Sequence, residues 1–146
     1  MYKPEYIRSI RLPLIPRKLI NQLPVDFSLF KRHSAAGPFS RSDSFSIDIN
    51  NWCNQNISKD INFGFQIIED NVPIHIDRRV KVKLFYLIRS GGKNVKTRFW
   101  TPDHQQCIAE YNIIESGWYF FQADAPHSVE GIEIGKTRLS LVGKIF

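Results

Sequence analysis

The chain has 146 residues, of which 42% are hydrophobic and 13% aromatic, and its 20 basic and 14 acidic side chains give a formal net charge of +6. This length suits one ordinary core, and so much apolar material is incompatible with a disordered chain. No uncharged run is long enough for a membrane span, so residues 1-146 read as one soluble domain with no membrane partner.

The first segment, MYKPEYIRSIRLPLIPRK, interrupts its apolar residues with Arg8, Arg11, Pro13 and Pro16. It therefore lacks the hydrophobic stretch of a signal peptide, and an intracellular, cytoplasmic location is expected. Ile7, Ile10 and Leu12 suggest an edge strand, and Pro16 opens a short helix over Arg17 to Gln22. Ser34 to Ser44 has the composition of a loop, as does the Asn-rich stretch from Asn50 to Asp60. Between them the alternation of Phe45, Ile47 and Ile49 with Ser46 and Asp48 predicts a short half-buried strand.

Beyond Asp60 the β-branched and aromatic residues gather in short runs bounded by Gly, Asn, Asp and Pro. They predict strands near Phe63 to Glu69, Pro73 to Asp77, Val80 to Arg89, Thr97 to Trp100, Ile108 to Ile114, Trp118 to Gln122, His127 to Gly131 and Thr137 to Phe146. Ser90-Gly91-Gly92-Lys93 is the clearest turn. So many short strands must stack as two sheets or close as a barrel. The expected fold is all-β with a short N-terminal helix, a cupin-like double-stranded β-helix or jelly roll. In the strand from Val80, parity places Val80, Val82, Leu84, Tyr86 and Ile88 on an inward face and Arg79, Lys81 and Lys83 on a solvated one.

His75-Ile76-Asp77 sets an imidazole and a carboxylate two residues apart, which in an extended strand leave from one face. His127 follows Pro126, which biases Ala125 towards an extended approach to another strand. Two histidines and one carboxylate form a facial triad suited to non-haem Fe(II), because the opposite coordination positions stay open. A structural zinc site would need four protein ligands, and Cys53 and Cys107 do not supply them. Arg138 and Ser140 share a face of the last strand, where guanidinium and hydroxyl could clamp a carboxylate. Taken alone, His75 and Asp77 are a weak motif, more often a surface pair before a turn than a metal site. His104 reads as a solvated loop residue that could replace His75, His33 as a loop residue, Trp100 as a candidate pocket wall and Cys107 as buried packing. Arg78 and Arg79 solvate the rim or meet an anionic substrate.

The ordered set of His75 and Asp77, then His127, then Arg138 and Ser140 resembles the 2-oxoglutarate/Fe(II)-dependent dioxygenases over roughly residues 63 to 146. The resemblance implies Fe(II) on His75, Asp77 and His127, and the distal carboxylate of 2-oxoglutarate on Arg138 and Ser140. Tyr86 would add a polar contact to the cosubstrate. It further implies a dioxygen-dependent hydroxylase that couples oxidative decarboxylation of 2-oxoglutarate to oxidation of a small molecule or an exposed protein segment. The alternative is a non-catalytic jelly-roll binding module with a vestigial metal site. The chain is short for that family, and Lys144 stands where the nucleic-acid repair branch carries a second arginine. Nucleic acid is thus a minor expectation despite the charge, and a β domain with exposed edges could pair with itself as a homodimer.

Overall fold

The computed structural model describes residues 5–23, 39–42 and 46–145, with backbone only for 39–42. The expected loop from Ser34 to Ser44 and His33 lie largely or wholly outside these residues. Among the described residues ten strands and two helices follow in the order β1 (Ile7–Ile10), α1 (Arg17–Asn21), β2 (Phe39–Ser42), α2 (Ile47–Asn56), β3 (Phe63–Ile68), β4 (Val72–His75), β5 (Val82–Arg89), β6 (Lys96–Trp100), β7 (Cys107–Tyr111), β8 (Trp118–Gln122), β9 (His127–Glu130) and β10 (Arg138–Ile145). Each of the eight strands expected after Asp60 is present, within a few residues of its predicted limits.

The strands form two antiparallel sheets, one of six in the order β1-β8-β5-β10-β3-β2 and one of four in the order β4-β9-β6-β7. Neither closes. The larger sheet ends on β1 and β2, the smaller on β4 and β7, and among the described residues no strand joins the two. The closed, cupin-like double-stranded β-helix or jelly roll expected from the sequence is therefore not the fold. The reason lies in the N-terminal third: β1 takes the outer edge of β8 and β2 that of β3, the edges a closing ladder would have used. On the β1 side a side chain spans the gap instead. The Tyr6 ring stacks on Phe99 of the smaller sheet at 4.7 Å, and its backbone N–H donates to the Tyr111 hydroxyl at 3.0 Å.

The larger sheet is the middle layer. One face packs Phe65, Ile67, Leu84, Tyr86, Trp118, Leu139 and Leu141 against Ile20 of α1 and Ile49 and Cys53 of α2. The other packs Phe85, Leu87, Phe121 and Val142 against Phe99 of the smaller sheet. Apolar side chains fill both faces of β5 and β10, so the division of β5 into inward and solvated sides does not hold: Leu84, Tyr86 and Ile88 meet the helices, while Lys83, Phe85 and Leu87 face the smaller sheet. Residues 47–56 are helical rather than a strand followed by a loop. Ser46 caps the helix, its Oγ accepting from the Ile49 N–H at 3.3 Å, and the Asn residues read as turn formers lie within its ten residues. Cys107 is exposed on the edge strand β7, not buried. Among the described residues no helix is long and apolar enough to cross a membrane.

Candidate metal centre

His75 closes β4 and His127 opens β9, and the two are directly paired across the antiparallel ladder. Direct partners project from one face of a sheet, so register alone sets the imidazoles side by side, with ring centroids 4.3 Å apart. Asp77 lies two residues past the end of β4. Its backbone N–H donates to the Ala123 carbonyl at 2.9 Å, which turns the chain so that the carboxylate meets both rings. Oδ1 stands 3.4 Å from His75 Nε2 and 3.8 Å from His127 Nε2. The three potential ligand atoms lie within 4.8 Å of one another.

Both rings are oriented from behind. His75 Nδ1 is 2.8 Å from the Pro73 carbonyl and His127 Nδ1 is 2.7 Å from that of Ala125. A carbonyl only accepts, so each Nδ1 carries the proton and each Nε2 presents its lone pair to the centre, the arrangement that metal-binding histidines use. His127 is buried against the rings of Phe99 and Phe121. Burial, helped by the neighbouring His75, pushes its pKa down to about 4, so at neutral pH the imidazole is uncharged. Burial opposes ionisation of Asp77 too, but the adjoining His75 ring and the hydrogen bond and charge of the Lys83 ammonium outweigh it and hold the carboxyl well below its usual range. His75, the uncharged His127 and the ionised Asp77 form a 2-His-1-carboxylate cluster that can coordinate a divalent metal such as Fe(II), with the capacity for metal-dependent catalysis.

Lys83 is the residue that sequence reasoning missed. It leaves β5 towards the smaller sheet, is 8% exposed, and forms an ion pair with Asp77 Oδ2. Its place in the alternation with Phe85 and Leu87 was the available signal, hidden by the assumption that β5 had a wet face. Arg138 and Ser140 do face the space between the sheets. Arg138 is 3% exposed, donates one long hydrogen bond of 3.4 Å to Thr97 Oγ1, and lies 6.0 Å from the Phe85 ring. No carboxylate among the described residues pairs with it, and burial alone brings its pKa down to about 10, still charged at neutral pH. The buried Ser140 Oγ has no hydrogen-bond partner among the described residues.

Arg138 shares a narrow cavity of about 30 Å³ with His75, His127, Lys83, Thr97 and Gln66, room for a water or two. Outside it a depression of about 280 Å³ adjoins His75, Asp77 and Lys83, with Arg78 and Lys144 on its walls. Tyr86 is not brought to the site. It lies on the opposite face of β5, its ring 4.9 Å from that of Trp118. His104 sits in the turn after β6 with φ of 63°, and its backbone N–H closes that turn on the Thr101 carbonyl.

No protein-family model and no curated protein matches the chain. The resemblance to the 2-oxoglutarate/Fe(II)-dependent dioxygenases does not survive the fold: that superfamily is defined by a closed double-stranded β-helix, and these sheets are open. The hydroxylase function drawn from it falls with it, as does the jelly-roll binding module offered as its alternative.

Proposed function

We propose that this protein binds one divalent metal ion through His75 Nε2, Asp77 Oδ1 and His127 Nε2, and that the positions left open take a small anionic ligand whose charge is met by Arg138. The carrying observation is that both imidazoles are fixed through Nδ1 to backbone carbonyls, so that their Nε2 atoms converge on one carboxylate oxygen. Fe(II) suits this donor set. When bound, a divalent ion supplies Lewis-acid activation of a coordinated oxygen. The chain's own residues aim the ligands, keep His127 neutral, and place a cation where an acidic ligand would reach it. A buried guanidinium with no carboxylate beside it among the described residues, two positions from a buried hydroxyl that has no partner among them, favours an anion between the sheets.

Calorimetric titration of metal-stripped protein with Fe(II) without oxygen, or with Co(II) or Mn(II), tests the reading. One ion per chain should bind, and His75→Ala, Asp77→Ala and His127→Ala should each weaken binding by roughly 100-fold or more. Acetate added to the Co(II) form should alter its visible spectrum in the wild type and not in Arg138→Met. Triad variants that bind metal as the wild type does would overturn the metal centre, and equal spectral responses would overturn the role of Arg138.

A further inference from the structure

We propose that Lys83 restricts Asp77 to a single ligating oxygen and thereby sets which divalent ions the centre accepts; this rests on the metal-centre reading above. The two carboxylate oxygens have different partners. Oδ1 faces both imidazoles, while Oδ2 is held by the Lys83 ammonium. Lys83 belongs to β5, which is paired with β8 on one side and β10 on the other, so its backbone is fixed from both directions. Among the described residues the ammonium also meets the Phe121 ring, 5.9 Å from its centroid. Turning Oδ2 towards a metal would take from the largely buried lysine charge its carboxylate partner, a strongly disfavoured change.

The restriction discriminates between ions. Ca²⁺ takes six to eight oxygen ligands and gains from bidentate carboxylates, whereas first-row transition ions accept two imidazoles and a single carboxylate oxygen. Held as it is, Asp77 offers Ca²⁺ one protein oxygen where it could use two. Lys83 also keeps a counter-cation beside Asp77 before any ion arrives, so the buried carboxylate needs no rearrangement to remain aimed at the histidines.

The test compares Co(II) and Ca(II) affinities of the wild type and Lys83→Met, which keeps the apolar stem and removes the charge. Freeing Oδ2 and removing a positive charge should tighten both ions, Ca(II) the more, so that the ratio of Co(II) to Ca(II) affinity narrows by about tenfold or more. Lys83→Arg should keep the wild-type ratio. If Lys83 were only a structural prop, Lys83→Met would weaken both metals equally; that result, or an unchanged ratio, would overturn the proposal. Infrared difference spectra of the wild type on addition of Co(II) supply a measurement independent of the variant's folding. A wide separation of the carboxylate stretches marks a one-oxygen ligand, and a narrow separation would sink the idea. A wild type that binds Co(II) with a narrow separation defeats the Lys83 proposal alone, whereas one that binds no metal defeats the metal centre and this inference with it.

Discussion

Arg138 carries a full charge into the space between the sheets and has one long hydrogen bond there. A buried charge with no opposite charge beside it among the described residues costs stability, so Arg138→Met should raise the free energy of unfolding by about 1–4 kcal/mol, measured by denaturant titration, while removing the response to acetate. His127 links stability to acidity. Its folded pKa is about 4 against an ordinary 6.5, so the unfolded chain binds the extra proton between those values. The stabilisation is complete above pH 6.5 and drains away as the pH falls towards 4, by on the order of 3 kcal/mol. Melting curves of metal-stripped protein across that window should show this loss, and His127→Phe should flatten it. His75 and Asp77 were readable as a pair because two-residue spacing puts them on one face of an extended chain, whereas the arrival of His127 depended on β4 and β9 being neighbours. Lys83 and Tyr86 were not, because alternation reports which residues share a face and not which face meets the site.

Helix α2 shows where local pattern fails. Residues 45 to 49 alternate like a strand, yet Ser46 supplies an N-cap and the next ten residues wind into a helix that buries Ile49 and Cys53 on the larger sheet. Losing that cap through Ser46→Ala should cost about 1 kcal/mol, read by chemical denaturation. The strands after Asp60 were legible because each is short, β-branched and bounded by turn residues. Their pairing was not, since it depends on contacts distant in sequence: β10 finds β3 and β5, and β1 finds β8 from the far end of the chain. Of these pairings, the meeting of β4 and β9 matters most to the site, because it turns His75 and His127 from two scattered residues into neighbours.

At the scale of the molecule, β4 is one of the two edge strands of the smaller sheet and carries two of the three potential ligands in or just beyond it. A metal ion would bind this border to β9, and any ligand that binds only the folded chain stabilises it. Metal at a hundred times its dissociation constant should raise the melting temperature by roughly 5–10 °C in a scanning calorimeter, and Asp77→Ala should abolish the rise. The N-terminal segment guards the opposite border. Its β1 strand covers the edge of β8, and Tyr6 bridges to Phe99 and Tyr111. An edge strand that is held by one neighbour shields that neighbour's free backbone groups from other molecules. Deleting the residues through Ile10 would bare the β8 edge, and the shortened chain should gather into larger species as its concentration rises, its bared edges pairing with one another.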